Sequence, residues 1–252
     1  MRNLACKNIV FGDGRPKICV PIAAENMDEL KMRASAVVSC PAAEVVEWRA
    51  DWYNGIEEEG SVCKVIGVLK EYLGDIPILF TFRSKEEGGQ REIDDCQYSR
   101  LIQGAAEAGA DLVDVELSKG DMLVKELIRT AHKEGLPVIV SSHDFEKTPE
   151  SDVMMGRLIH MHELGADFCK LAVMPENPLD TLRLLEVTWK LRSLYPDMRL
   201  ITMSMSEAGS ISRVCGEVFG SVLTFGTVGT GSAPGQLDAE CLREILDAFH
   251  KK

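Results

Sequence analysis

Gly165-Ala166-Asp167-Phe168-Cys169-Lys170-Leu171-Ala172-Val173-Met174-Pro175 reads as the close of a helix followed at once by a strand, apolar on both faces, with one lysine in its middle. Strands of that kind belong to parallel sheets covered on both sides. The junction recurs. Ala108-Gly109-Ala110-Asp111 and Glu134-Gly135-Leu136-Pro137 also put glycine where a helix ends in the left-handed conformation and a strand begins. Working outward from these joints, strands are predicted over 17–22, 44–49, 77–83, 111–116, 137–143, 167–172, 199–205 and 220–225, with helical segments between them. Around 94–109, Leu101, Ile102, Ala105 and Ala108 line one face at helical spacing. Thr148-Pro149-Glu150 and Asn177-Pro178 each predict a capped helix start with proline at the first position, and Pro196 predicts where the second of these helices stops.

Eight strands, each followed by a helix, predict an α/β fold of the (β/α)8 TIM-barrel type rather than an open doubly wound sheet. No Gly-x-Gly-x-x-Gly follows the first strand, so the dinucleotide-binding alternative lacks its main signature. Ile9-Val10-Phe11-Gly12-Asp13-Gly14-Arg15-Pro16 predicts an N-terminal β-hairpin closing the barrel floor. No linker-like or low-complexity stretch divides the chain, so residues 1–252 are read as a single barrel domain.

Of the 252 residues 45% are hydrophobic, enough for a sizeable core. No apolar run approaches the ~20 residues that span a bilayer, and Met1-Arg2-Asn3-Leu4-Ala5-Cys6-Lys7-Asn8 lacks the apolar core of a signal peptide. A formal net charge of -12 argues against a nucleic-acid partner and against adhesion to anionic membrane lipid. A small anionic substrate would need a local cluster of arginines to overcome that field. The eight cysteines are scattered with no CxxC pair, which predicts small reduced core residues of a cytoplasmic protein.

An isolated ammonium inside a sheet is costly, and a lysine so placed tends to give up its proton. A neutral amine attacks carbonyl carbons, which makes Lys170 a candidate Schiff-base nucleophile. Barrel chemistry sits at the carboxyl ends of the strands. There the sequence offers Glu47, Arg49 and Asp51 at period two, then Arg83 with Glu87 in the following loop, then Asp114 and Glu116. His143 comes next, followed by Met203 and Met205 with Arg213 beyond them, and Phe225 before a glycine-rich loop running to Gln236.

Taken singly, most of these have plainer readings. Lys170 could pair with a carboxylate, and Glu47 with Arg49 could form an internal salt bridge. Met203 and Met205 suit core filling. Asp114 and Glu116 suit a supporting network, and His143 a hydrogen-bonded core position. His160 and His162 lie two apart on a helix and share no face, which disfavours a metal pair. Convergence shifts the balance, because amine, imidazole, carboxylates and arginines all arise at the same end of successive strands.

Together they support a specific chemistry. An amine and a ketone give an iminium, whose nitrogen draws electrons from the adjacent carbon. A histidine then removes a proton from that carbon. A hydroxyl on the next carbon is expelled by the resulting enamine, with the imidazolium as acid. No metal or organic cofactor is needed, and arginines suit a substrate carboxylate through their planar fork.

Glu47-Trp48-Arg49, Thr81-Phe82-Arg83-Ser84, Ser141-Ser142-His143-Asp144-Phe145, Phe168-Cys169-Lys170-Leu171-Ala172, Met203-Ser204-Met205, Ser212-Arg213 and Ser232-Ala233-Pro234-Gly235-Gln236 resemble the type I 3-dehydroquinate dehydratases. The likeness runs from about residue 17 to the C-terminus. It implies a (β/α)8 barrel, a homodimer, and a lyase of the shikimate pathway that converts 3-dehydroquinate to 3-dehydroshikimate. It further implies that Lys170 forms the Schiff base, that His143 shuttles protons and that Glu87 orients His143. Arg213, Ser232 and Gln236 would hold the carboxylate, and Glu47, Arg49 and Arg83 the ring hydroxyls. Met203, Met205, Phe225 and Ala233 would form apolar walls. Two departures stand out: Ser206 and Glu207 follow Met205 where glycine is expected first, and the 226–231 loop is unusually rich in glycine.

Overall fold

The computed structural model describes residues 3–229 and 235–250. A short antiparallel hairpin, β1 (Leu4–Cys6) and β2 (Ile9–Phe11), comes first. Its turn is Lys7-Asn8, with Lys7 at φ 49°. The hairpin therefore starts earlier than the 9–16 stretch predicted, and residues after Phe11 lead into the barrel instead. The barrel strands are β3 (Lys17–Ile22), β4 (Val45–Arg49), β5 (Ile78–Thr81), β6 (Leu112–Glu116), β7 (Val138–Asp144), β8 (Phe168–Val173), β9 (Leu200–Ser204) and β10 (Leu223–Thr227). From β3 to β9 each pairs in parallel with the next, and β10 returns to pair with β3. The seam between β9 and β10 closes where Val222 N–H donates to the Leu200 carbonyl at 2.8 Å. A two-residue strand, β11 (Leu237–Asp238), adds onto β10.

Helices α1 (Met27–Val38), α2 (Ser61–Leu73), α3 (Asp95–Glu107), α4 (Asp121–Lys133), α5 (Ser151–Leu164) and α6 (Pro178–Leu194) fill the crossovers. Two short helices, α7 (Ile211–Val214) and α8 (Gly216–Phe219), follow β9, and α9 (Ala239–Phe249) closes the ring. No helix among the described residues is long and apolar enough to cross a membrane.

The recurring joints have a clear physical basis. Gly109, Gly135 and Gly165 lie at φ +79°, +76° and +102°, a backbone region that side chains disfavour. The acid that follows pins a neighbouring strand: Asp111 accepts from Ile78 N–H at 2.9 Å and Asp167 from Val138 N–H at 2.8 Å. Asn177 caps α6 as predicted, accepting from Leu179 N–H. Thr148 does not cap α5, because its hydroxyl donates to the Met174 carbonyl at 2.9 Å and the helix begins at Ser151. The last barrel strand starts at Leu223 rather than 220, since Gly220, at φ +113°, ends α8.

Two apolar clusters result, as a closed sheet requires. The larger lies between strands and helices. The smaller fills the barrel, where Cys19, Val45, Leu79, Leu112, Ile139, Phe168, Ile201 and Leu223 form the lower layer. Phe11 from the hairpin is buried beneath that layer, with its ring edge-on to Phe168 at 5.0 Å, and so stops the floor. All described cysteines are free thiols. Cys6, Cys19, Cys40 and Cys169 are buried as expected, whereas Cys63, Cys96 and Cys241 are exposed on helices.

Candidate active site

Period two continues upward from the apolar floor. On β4 to β8 the next inward positions turn polar: Glu47 above Val45, Thr81 above Leu79, Asp114 above Leu112, Ser141 above Ile139 and Lys170 above Phe168. On β9 and β10 they stay apolar, as Met203 and Phe225. The upper barrel thus has one ionic side and one oily side. Between them lies a cavity of about 210 Å³, open at the carboxyl ends of the strands. Glu47, Arg49, Arg83, Glu87, His143, Lys170, Met203, Met205, Arg213, Phe225 and Gln236 all line it. These are the predicted site residues apart from Ser232 and Ala233, which fall outside the described residues. Gly88, Phe145 and Ala172 line it as well.

Lys170 is almost wholly buried, and it is not isolated. Its Nζ donates to Asp114 Oδ2 at 3.2 Å, has Glu47 Oε1 at 3.7 Å, and lies 4.7 Å from the centre of the Phe225 ring. The expectation of a lone buried amine is corrected by those two carboxylates. Glu47 also accepts from Thr81 Oγ1 at 3.0 Å. The alternative Glu47–Arg49 salt bridge does not form. Arg49 instead grips Asp51 with two parallel bonds of 2.8 and 2.9 Å, the fork geometry of a strong pair. Burial opposes the Arg49 charge most strongly, but the bond to Asp51 together with the Asp51 and Glu47 charges outweighs it and raises its pKa.

His143 Nδ1 lies 2.8 Å from Glu87 Oε2. A carboxylate only accepts, so Nδ1 carries the hydrogen and Nε2 is left with a lone pair. Glu87 is fixed in turn by the His143 backbone N–H at 3.1 Å and by Ser118 Oγ, which donates to Oε1 at 2.6 Å. Burial, then the Arg83 and Lys170 cations, push the His143 pKa well below its ordinary value. Burial raises that of Glu87 against the pull of Arg83. The Phe145 ring stacks near the imidazole, with centroids 6.4 Å apart.

Arg83 is a hub. It donates to Glu116 at 3.0 Å, Ser141 at 2.9 Å and Asp114 at 2.8 Å, with Glu87 at 3.6 Å. Across the cavity, α7 carries Arg213, and burial brings its pKa down to about 10, which leaves it cationic at neutral pH. Ser118 and Ser141 were not singled out from the sequence. Ser118 sits in a 3-10 turn where no periodicity marks it. His160 and His162 have separate neighbours, Asp121 and the Tyr195 ring.

Fold and site together define the class: a (β/α)8-barrel enzyme with an amine and an imidazole in one mouth. Comparison with known proteins makes it specific. The family described as Type I 3-dehydroquinase matches residues 18–252. The 3-dehydroquinate dehydratase of Clostridioides difficile (strain 630) is 45% identical over 251 residues, covering 99% of this chain and 98% of the relative. That of Bacillus licheniformis is 46% identical over 246 residues, covering 97% and 96%. A crystal structure of type I 3-dehydroquinate dehydratase from Clostridium difficile, with covalently modified comenic acid, superposes with a TM-score of 0.95 at 45% identity, covering 99% and 98%. The chain belongs to the type I 3-dehydroquinase family. A 3-hexulose-6-phosphate synthase from Salmonella typhimurium, at 18% identity and a TM-score of 0.61, shares the fold alone.

Proposed function

We propose that the chain dehydrates 3-dehydroquinate to 3-dehydroshikimate through a Schiff base on Lys170, with His143 as general acid and base. The observation that carries this reading is that Lys170 and His143 face one cavity from adjacent strands, with Ser141 paired to Lys170 and His143 to Ala172. The Lys170 nitrogen attacks the ketone and water leaves. His143 Nε2 takes a proton from the adjacent carbon, the hydroxyl on the next carbon departs with that proton, and hydrolysis frees the product. Glu87 fixes the imidazole by its Nδ1–H. Arg213, with Gln236 and Ser232, would hold the carboxylate, and Glu47, Arg49 and Arg83 the ring hydroxyls. Met203, Met205 and Phe225 form the apolar side, and by the family resemblance Ala233 would join them. Arg83 and Arg49 are already gripped by acids, which favours a share in ordering the ionic wall as well as in contact with substrate.

The reaction belongs to the shikimate pathway, as a cytoplasmic step carried out by one barrel unit spanning residues 1–252. The partner is a second copy of the chain. Helix α6 buries Leu184, Leu185, Val187 and Leu191 on one face, yet exposes Leu179, Leu182, Trp189 and Leu194 on the other. A helix apolar on both faces is normally covered on both. A two-fold axis near residue 188, with the helices antiparallel, would set Leu182 against Leu194 of the partner subunit and Glu186 against Lys190 of the partner subunit.

Borohydride reduction in the presence of 3-dehydroquinate, followed by peptide mass analysis, tests the mechanism. The Lys170 peptide gains the mass of the reduced adduct, and Lys170→Ala loses both the adduct and nearly all turnover. An unmodified Lys170 peptide from the native protein would reject the Schiff base.

A further inference from the structure

The reacting nitrogen has a companion that the mechanism above leaves unused. Asp114 is fully buried at the middle of β6, and its two oxygens are divided. Oδ1 accepts from Arg83 Nη2 at 2.8 Å and Ser141 Oγ at 2.6 Å; Oδ2 is turned to Lys170 Nζ at 3.2 Å. Neutralising Arg83 does not account for this, because Glu116 and Glu87 already face that guanidinium. The oxygen aimed at Lys170 is the part left unexplained. We propose that Asp114 is a further catalytic residue, the counter-ion that accepts the N–H of the iminium on Lys170 and keeps that nitrogen charged.

This inference rests on the Schiff-base reading. Written from the protonated amine, the C–N bond forms, the carbonyl C–O bond breaks, and the oxygen leaves as water with two of the three nitrogen protons. One N–H and one positive charge stay on nitrogen. Proton removal at the adjacent carbon makes the nitrogen neutral, and loss of the hydroxyl as water makes it cationic again. A carboxylate fixed beside it matches the charge at both cationic stages with no rearrangement. Burial opposes ionisation of Asp114, but Arg83 and Lys170 outweigh it and hold its pKa below the usual carboxylate range. The other groups facing this centre are Cys19 on β3, Glu47 and Arg49 on β4, and Glu87 after β5. Tyr98 on α3, Glu116 on β6 and His143 on β7 complete the set.

The test is borohydride trapping of the 3-dehydroquinate adduct across a pH series, with the trapped fraction read by intact mass. A protonated iminium is reduced far faster than a neutral imine. In Asp114→Asn the pH above which trapping fades falls by about one unit or more, and kcat drops about tenfold or more. An unshifted limit, with yield lowered equally at every pH, would mean that Asp114 is structural and overturn the proposal. Should the Asn variant fail to fold by circular dichroism, Ser141→Ala, which keeps the charge and removes one support, moves the limit the same way by less. A native limit in that variant also overturns it. Absence of any adduct in the native protein would instead strike the Lys170 reading.

Discussion

At the scale of single residues, burial with the Arg83 and Lys170 cations favours a neutral His143, while those same cations hold Asp114 anionic against its burial. His143 has its pKa pressed well below the ordinary value by burial and by the nearby cations. A base is active when unprotonated, so lowering its pKa moves the acid limb of the rate profile downward. We expect kcat/KM to stay level as pH falls through 6.5 and to decline only well below it. An acid limb at or above 6.5 would contradict the assigned tautomer and role. The same group is buried neutral, so its contribution to stability is present above the unfolded pKa and is lost as pH falls toward the folded one. Ser206 is the other residue of note. It sits at φ 60° and ψ 178°, where only glycine is at ease, and glycine is what the motif led one to expect. Ser206→Gly should raise stability by about 1 kcal/mol in a denaturant titration. Lys170, His143 and Glu47 were legible in the sequence because inward polar residues stand out at period two in otherwise apolar strands. Glu87 and Ser118 come from 3-10 turns, which have no such period, so Glu87 could be placed only as a loop residue until the resemblance gave it a role, and Ser118 entered through geometry alone.

At the scale of elements, the joints carry most of the information. Glycine ends the helix at three joints, and at two of them, after Gly109 and Gly165, an acid fastens the neighbouring strand, which is why these strand starts could be read from the chain. The hairpin turn was misplaced because Lys7 takes a left-handed conformation that nothing local demands. The start of α5 was misread because Thr148 has a distant partner in Met174. The turn after β5 shows what an element can do for chemistry. Gly89 lies so close to the preceding strand end that an added Cβ would fall 1.9 Å from the Arg83 carbonyl oxygen. That close fold holds Glu87 against His143. Gly89→Ala should cost about 1–3 kcal/mol by thermal or chemical unfolding. It should also cut kcat more than KM, since it moves the group that steers the imidazole. Equal losses in both would show that the turn serves binding instead.

At the scale of the whole molecule, the net charge of -12 and the chemistry at the mouth pull in opposite directions. Four cations, Arg49, Arg83, Lys170 and Arg213, line the cavity, but Asp51, Glu47, Glu87, Asp114 and Glu116 stand beside the first three, so an acid would be met there by individually placed cations and not by net charge. The exposed side of α6 is the other large-scale feature. Trp189→Glu should convert a dimer to a monomer in sedimentation velocity while leaving the fold intact by circular dichroism. A native sedimentation profile for that variant would exclude α6 as the contact. The charge conflict was already legible in the sequence, whereas the exposed side of α6 was not, because an apolar residue on a helix does not announce which neighbour covers it. The Phe11 plug has a consequence for traffic. With the lower end stoppered, the upper mouth serves as doorway for the arriving acid and for the departing product and water alike. Passage in opposite directions through one narrow opening is a diffusive contest, and turnover should slow as sucrose thickens the solvent.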